Sequence, residues 1–466
     1  MKLATVVLAA GLGTRMKSPL QKVLHVIGGK PMVRQVAETL GGLKPSATVI
    51  VIGPSGKEVR DALKGLPVTF AVQKERKGTG DAFKSAVKHL KGFDGTLLVV
   101  SGDTPLVTAR ALQEFLKRHK RNREDISIMS FISGRPHSYG RIIRDGVKGV
   151  RAIVESRDAT DEQKEINEVN SGIYALEAPL VNLLKEIRVN KSKGEYYLTD
   201  IVAIAVNKGL RVGAHLLGNE RELTGINTRE DLYEARLYLR DRVTADLAER
   251  GVTFLDRNSV FIDQGVEIGA DTLIYPNVCI EGKTVIGGNC TIYPNTRIVA
   301  STLGNGVIVG DCTLIESSAV QENACVGPFA HIRPGSVIGA SAKIGNFVEV
   351  KKSVIGDGAK ASHLSYIGDA EIGKDVNIGA GTITCNYDGK QKFKTTIEDN
   401  VFIGSDTQLV APVRVGKGAY VGAGSTITRD VPPHALAVSR TAQRNIAGWA
   451  LKKETKAASR GRKTED

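Results

Sequence analysis

Cysteine is scarce in this 466-residue chain: Cys279, Cys290, Cys312, Cys325 and Cys385, none in a CxxC pair. An odd, scattered set argues against a disulfide framework and a zinc site and fits reduced thiols. Aromatic residues make up only 5% of the chain, with one tryptophan. That disfavours the basic, aromatic face with which nucleic acid is gripped. No apolar run reaches the roughly 18 residues of a membrane span. The N-terminal MKLATVVLAAGLGTRM has a short apolar stretch, but Gly11-Leu12-Gly13-Thr14-Arg15 stands where a signal peptide would carry its cleavage site. The segment therefore reads as a first strand, and the chain as cytoplasmic. Acidic residues are outnumbered, 50 against 64 Lys and Arg, for a net charge of +14. The excess predicts small anionic substrates, with no nucleic acid and no membrane as partner. Part of it lies in the tail 450–466, which reads as disordered.

What the chain does have is a beat of six. Ile262, Ile268, Ile274, Ile280, Ile286, Ile292 and Ile298 are evenly spaced. The series slips, passes through Ile308 and Leu314, and resumes at Val320, Val326, Ile332, Ile338, Ile344 and Val350. It returns as Ile397, Ile403, Leu409, Val415, Val421 and Ile427. A second series includes Val260, Val266, Thr272, Val278, Thr284, Cys290 and Thr296, so packing is the plain role for Cys290. Neither a helix nor an ordinary sheet has period six. A three-faced coil does, with one aliphatic pointing inward from each face: a left-handed parallel β-helix of hexapeptide repeats, about 18 residues per coil and on the order of ten coils. Two interruptions, from Lys351-Lys352-Ser353 to Tyr366 and over Gly381–Thr396, read as projecting loops.

Residues 1–228 alternate apolar strands with helical patterns. Strands are expected over Ala4–Val7, Thr48–Ile52, Thr69–Val72, Leu97–Val100 and Ile126–Phe131, with helices over Met32–Leu40 and Ala109–His119 between them. This predicts an α/β Rossmann-like domain, a parallel sheet with helices on both faces and ligands beyond the carboxyl ends of its strands. Residues 229–250 read as one amphipathic linker helix bounded by Thr228 and Gly251. Residues 251–449 then form the hexapeptide domain.

Two patterns in the first domain carry chemistry. Val6-Val7-Leu8-Ala9-Ala10-Gly11-Leu12-Gly13 is a buried strand entering a glycine loop whose amides can cradle phosphate. It is neither a Walker A loop nor GxGxxG, and a tight strand-to-helix turn would explain the glycines equally well. Arg15 and Lys22 favour the phosphate reading. Asp103, in Ser101-Gly102-Asp103-Thr104, stands just past a strand where a Mg²⁺ ligand would sit, although it or Thr104 reads equally as a helix cap.

These segments, with Lys22-Val23-Leu24-His25, Gln73, Gly78-Thr79-Gly80, Tyr139-Gly140-Arg141 and Asn170-Ser171-Gly172, resemble the sugar-1-phosphate nucleotidyltransferases. With the prism attached, the chain to about Trp449 resembles the bifunctional bacterial N-acetylglucosamine-1-phosphate uridylyltransferase / glucosamine-1-phosphate N-acetyltransferase family. The resemblance implies acetyl transfer from acetyl-CoA to glucosamine 1-phosphate, then uridylyl transfer from UTP with release of pyrophosphate, making UDP-N-acetylglucosamine for cell-wall polymers. It implies that Leu8, Ala9, Ala10, Gly11, Gln73, Gly78 and Thr79 hold the nucleotide, beside Ser101 and Gly102. Arg15 and Lys22 would neutralise phosphates, Gly140, Glu155 and Asn170 hold the sugar, and Asp103 and Asn227 bind Mg²⁺. In the prism it implies His363 as general base, with Arg333 and Lys351 on the sugar phosphate and Tyr366 and Asn377 on the sugar. Ala380, Asn386, Tyr387, Lys392, Ser405, Ala423 and Arg440 would hold acetyl-CoA, and Cys385 would be a bystander. Homotrimers are implied as well. One departure stands out: Gln21 occupies the position where the family usually has proline before the lysine.

From the residues alone, a lone His363 is more often structural than catalytic. Two other readings of the whole remain: a single-function nucleotidyltransferase whose prism only oligomerises or binds an effector, and a regulatory scaffold. A scaffold would not need Lys22, Asp103, Asn227 and His363 together.

Overall fold

The computed structural model describes residues 2–136, 139–146, 149–190 and 194–461. It divides into two compact units, Met1–Ala245 and Asp246–Asp466.

The first unit is built on one twisted sheet. Its spine runs, by strand, Val212–Leu216, Ile126–Ile132, Glu168–Glu177, Thr96–Ser101, Leu3–Leu8, Ala47–Ile52 and Thr69–Val72. The expected strands and helices are all present; Thr69–Val72 has the expected bounds, and the others are longer by one or two residues at one or both ends. Because side chains alternate across a strand, Val6, Val49 and Val99 face one core and Val7, Ile50 and Val100 the other. The helices Thr79–Val87 and Asp200–Asn207 cover the first core, and Met32–Gly41 and Ala109–Arg121 the second. One expectation needs correction. The sheet is mixed: Glu168–Glu177 runs antiparallel to both of its neighbours. The chain reaches it through the hairpin Arg141–Asp145 and Gly149–Val154 and not through a crossover helix, which a parallel partner would require.

The long helix Arg229–Glu249 follows Thr228, whose hydroxyl accepts from Asp231 N at 3.1 Å. Asp231 reciprocates, its carboxylate accepting from Thr228 N and Asn227 N at 2.9 and 2.8 Å. Leu232, Ala235 and Leu239 pack on Met16, Ile27, Met32 and Leu106.

The second unit is the prism: three parallel sheets of 11, 10 and 9 strands, its first, second and third faces, each strand pairing with its counterpart one coil on. The inward series is corrected in one stretch. Ile308 is 42% exposed, whereas Leu303, Val309 and Ile315 are buried. Two coil steps shorten to 17 residues there, Val285 pairing with Thr302 and Leu314 with His331, so the aliphatic one place later turns inward. The same shortening accounts for the break after Lys351. Glu349 pairs with Tyr366 and Val354 with Glu371, and no loop is inserted. The interruption at Gly381–Thr396 is a true excursion, the step from Ala370 to Thr395 spanning 25 residues. Sharp corners place single residues in the left-handed region, among them Asn289, Asn323, Asp375 and Asn400, residue types that tolerate it. Beyond the prism, Trp449–Gly461 is helical, so the described part of the tail is not the disordered segment expected; residues 462–466 lie outside the described residues.

Candidate active sites

At the carboxyl ends of strands Leu3–Leu8 and Thr96–Ser101, Gly102 N donates to Leu8 O at 2.9 Å, which levels the two strand ends. The chain from Leu8 through Gly11 then arches over this edge, and three groups hold it. Ala9 N donates to Val51 O. Arg76 Nε donates to Ala10 O at 2.9 Å. Gln21 Nε2 donates to Ala9 O at 2.9 Å and to Gly11 O at 3.3 Å. Sequence reading missed Arg76, which carries no local signal, and left Gln21 only as a departure from the family pattern. Its side-chain amide does by hydrogen bonding what a proline ring does by restricting backbone rotation. Gly13 has φ +69°, and a Cβ there would lie 2.3 Å from Lys22 Cβ, so only glycine lets Lys22 pass behind the loop.

Lys22, Asp103, Asn227 and Arg15 converge. Asp103 does not cap the following helix; Thr108 does, accepting from Ala111 N. Instead Asp103 O accepts from Ile226 N at 2.9 Å, which brings Asn227 alongside. The Lys22 ammonium forms a salt bridge with Asp103 Oδ2 and donates to Asn227 Oδ1 at 2.9 Å. Arg15 Nη2 donates to the same Asn227 oxygen at 2.9 Å. A carboxylate oxygen and an amide oxygen thus point at one positive charge, the hard-oxygen set that Mg²⁺ takes when phosphates and water complete its shell.

Further along the sheet, Gln73 Nε2 donates to Gly78 O at 3.0 Å and to Asp81 Oδ2 at 2.8 Å. Gly78 has φ +94° with Tyr196 O packed where a Cβ would be, and the Thr79 hydroxyl accepts from Leu198 N. Around the antiparallel strand Glu168–Glu177, Asn170 N donates to Gly140 O, and Gly172 N to Asn170 Oδ1 at 2.9 Å. Asn170 Nδ2 donates to the Tyr174 hydroxyl at 2.6 Å, and the Thr199 hydroxyl donates to Glu155 Oε1 at 3.1 Å. Burial, reinforced by the nearby Glu155 charge, pushes the Tyr174 phenol far up, so it stays neutral.

In the prism, His363 ends the first-face strand Lys360–His363 and is exposed. Its Nδ1 lies 2.8 Å from Asn346 Oδ1, its register partner one coil back. An amide oxygen only accepts, so Nδ1 carries the hydrogen and Nε2 is left with its lone pair. Asn346 was missed in the sequence; its only signal is a place 17 residues before His363. The same edge continues over successive coils: Gly381 N donates to Leu364 O, Asp406 N to Ala380 O and Gly424 N to Ser405 O. His363, Ala380, Ser405 and Ala423 therefore follow one edge of the prism, and Arg440 extends it, its Cδ 4.0 Å from a Cβ built at Gly424.

The opposite edge of the second face carries Arg333, Lys351 and Asn386. Arg333 Nη1 donates to Glu349 Oε1 at 2.7 Å. Asp369 N donates to Lys351 O, and Asn386 Nδ2 donates to the Asp369 carboxylate. Tyr366 opens the strand between the edges, and its hydroxyl lies over Gly368, the register partner of Lys351. Asn377 stands apart on the first face, paired with Lys360 and Phe402. The excursion is a small hairpin with a Tyr387–Lys392 bridge, turned by the Asp388 carboxylate accepting from Lys390 N and Gln391 N. These two amides hold the Asp388 carboxyl below its ordinary range. Lys394 pairs with Glu371, whereas Lys390 and Lys392 have no carboxylate partner among the described residues. Cys290 is buried in the prism, as its place in the second series predicts.

No helix among the described residues is long and apolar enough to cross a membrane. Residues 5–166 match the model of the MobA-like NTP transferase domain, and residues 394–429 that of the bacterial transferase hexapeptide (six repeats). The chain is 54% identical to the Bifunctional protein GlmU of Thermodesulfovibrio yellowstonii over 96% of this chain and 99% of that protein. It is 48% identical to the protein of the same name from Caldanaerobacter subterraneus subsp. tengcongensis, over 96% and 97%. The counterpart from Geotalea uraniireducens is 45% identical over 97% and 99%. A solved UDP-glucose pyrophosphorylase complexed with UDP-glucose is 18% identical, covering 52% of this chain and all of that one, with a TM-score of 0.44. Two transferase domains in one chain, each with its own cluster of polar groups, matched end to end by such relatives, mean that the chain belongs to the GlmU family of bifunctional proteins.

Proposed function

We propose that the prism acetylates glucosamine 1-phosphate with acetyl-CoA and that the first unit then transfers uridylyl from UTP to N-acetylglucosamine 1-phosphate, releasing pyrophosphate. The observation that carries this reading is the presence of a polar cluster in each unit, Lys22–Asp103–Asn227 in the first and His363–Asn346 in the second.

In acetyl transfer, the substrate nitrogen attacks the thioester carbonyl carbon, the new C–N bond forms as the C–S bond breaks, and CoA leaves as its thiol. The nitrogen must shed a proton, and His363 Nε2 takes it, with Nδ1–H held by Asn346. Arg333 and Lys351 bind the sugar phosphate, Tyr366 and Asn377 the sugar. Acetyl-CoA runs along the His363 edge past Ala380, Ser405 and Ala423 to Arg440, with Asn386, Tyr387 and Lys392 on its other side. Within one copy, the phosphate-binding groups and His363 lie on opposite edges of the second face. A homotrimer would bring the two kinds of edge together between copies. The exposed ladder Phe402, Tyr420 and Leu436 gives such an assembly apolar surface to cover.

In uridylyl transfer, the phosphate of N-acetylglucosamine 1-phosphate attacks the α-phosphorus of UTP and pyrophosphate leaves in line. The protein positions the two substrates and stabilises developing charge. Leu8, Ala9, Ala10, Gly11, Gln73, Gly78 and Thr79, with Ser101 and Gly102, hold the nucleotide. Gly140, Glu155 and Asn170 hold the sugar, and Arg15 and Lys22 the phosphates. Asp103 and Asn227 would hold Mg²⁺, which when bound supplies charge neutralisation at the phosphates.

His363→Ala should abolish release of CoA thiol from acetyl-CoA and glucosamine 1-phosphate while leaving pyrophosphate release from UTP and N-acetylglucosamine 1-phosphate intact. Asp103→Ala should do the reverse. Equal loss of both activities in either variant would defeat the assignment to separate sites.

A further inference from the structure

The Lys22 ammonium stands where the metal of the proposed uridylyltransferase site would stand. It is bound at once to Asp103 Oδ2 and Asn227 Oδ1, and Arg15 donates to that same amide oxygen. Two side-chain oxygens offered to a divalent ion are therefore already satisfied by the protein's own cations. The arrangement is built in from both sides. Asp103 and Asn227 are tied together through the backbone bond from Ile226 N to Asp103 O. Lys22 is threaded behind Gly13, whose lack of a Cβ is what lets its side chain pass. Lys22 and Asp103 side chains are only 14% and 17% exposed, so water screens the pair poorly.

We propose that Lys22 is an internal counter-cation that keeps the Asp103–Asn227 site closed to divalent metal until a nucleoside triphosphate draws the ammonium away. The proposal rests on the reading of Asp103 and Asn227 as metal-binding groups. A triphosphate entering over the Leu8–Gly13 loop offers Lys22 and Arg15 oxygens of higher negative charge than one carboxylate. When they swing to it, Asp103 and Asn227 are left facing a vacated pocket beside those phosphates. Metal and nucleotide then bind in a coupled manner, each favouring the other because both compete with the same salt bridge. The exchange also keeps the acidic site neutral between turnovers and delivers the metal only where phosphate is present.

The test is metal binding by the nucleotide-free, full-length protein, with Mn²⁺ as probe and the electron paramagnetic resonance signal of the free ion as readout. Wild type and Lys22→Arg, which keeps the charge, should bind Mn²⁺ weakly at this site. Lys22→Met and Lys22→Gln should bind it at least about tenfold tighter, and that gain should vanish when Asp103→Asn is added. Acetyl transfer and far-ultraviolet circular dichroism report that each variant is folded; Lys22→Gln keeps a donor for Asn227 and stands in should Lys22→Met fail to fold. Neutral variants that bind Mn²⁺ no tighter than wild type overturn the proposal, as does a gain that survives Asp103→Asn. The underlying metal reading fails separately, if Asp103→Asn leaves Mn²⁺ affinity unchanged in the presence of UTP.

Discussion

Asn346 and His363 stand opposite each other on adjacent coils, Asn346 Oδ1 2.8 Å from His363 Nδ1. A histidine on an exposed corner would otherwise rotate freely and divide its hydrogen between two nitrogens. The coil repeat places an acceptor against one nitrogen and so leaves the other with its lone pair, as the proposed base requires. Asn346→Ala should lower kcat for acetyl transfer by about 10- to 100-fold, the usual cost of losing a residue that orients a functional histidine, with little change in KM for acetyl-CoA. Asn346→Asp, which restores an acceptor and adds charge, should recover much of the rate and move the acid limb of the pH–rate profile upward, because a carboxylate favours the imidazolium. An unchanged profile in Asn346→Asp together with full activity in Asn346→Ala would show that the contact does not orient the base.

Gln21 clamps the arch after the first strand, its side-chain amide donating to Ala9 O and Gly11 O. Its backbone sits at φ −58°, ψ 135°, within the range a proline ring allows. Gln21→Pro should therefore fold and keep uridylyl transfer within a few-fold of wild type. Gln21→Ala removes both clamps on Ala9 O and Gly11 O and leaves the arch held only by Arg76 and by the Ala9 N–Val51 O bond. It should raise KM for UTP more than it lowers kcat, and Gln21→Pro should show the smaller effect. Steady-state kinetics with varied UTP distinguish these outcomes, and acetyl transfer should be unchanged in both.

Gly13→Ala should be far more damaging than its size suggests. The new Cβ meets Lys22 Cβ at 2.3 Å, and φ +69° is a conformation that alanine resists. Loss of about 1–3 kcal/mol of local stability is the usual scale for such strain. Uridylyl transfer should fall at least about tenfold because Lys22 is displaced, while release of CoA thiol is retained.

Much of this architecture was legible because one physical rule repeats. An inward aliphatic every six residues betrays the prism, and the strands and helices of the first unit follow from their apolar runs. Where the reading slipped, the chemistry was degenerate. Ile308–Val309 and Leu314–Ile315 are adjacent aliphatic pairs, so the slip in the beat does not say which member of each pair turns inward, and only burial reveals that Val309 and Ile315 do. Direction is equally silent: Glu168–Glu177 has the apolar content of a central strand whichever way it runs. The polar groups divide in the same way. Lys22 and Asp103 could be singled out by their places beside a loop and a strand end. Asn346 and Arg76 could not, since each acts through a partner 17 or 66 residues away.

His25 gives the first unit a pH dependence of definite sign. It is buried, its Nδ1 faces Arg229 Nη1 at 3.4 Å, and its Nε2 has no hydrogen-bond partner among the described residues. Burial, then the charges of Arg229 and Arg236, hold its pKa below the ordinary histidine value. The folded state therefore resists protonation more than the unfolded state does. As pH falls below about 6.5, the unfolded chain takes up the proton first, and stability declines until the folded-state pKa is reached. The protein should consequently lose uridylyl transfer faster on brief heating at pH 5.5 than at pH 7.5 when both samples are assayed at one common pH. His25→Gln, which cannot titrate, should reduce that difference even if it lowers stability at every pH. A variant that retains the full wild-type difference would locate the acid sensitivity elsewhere in the unit.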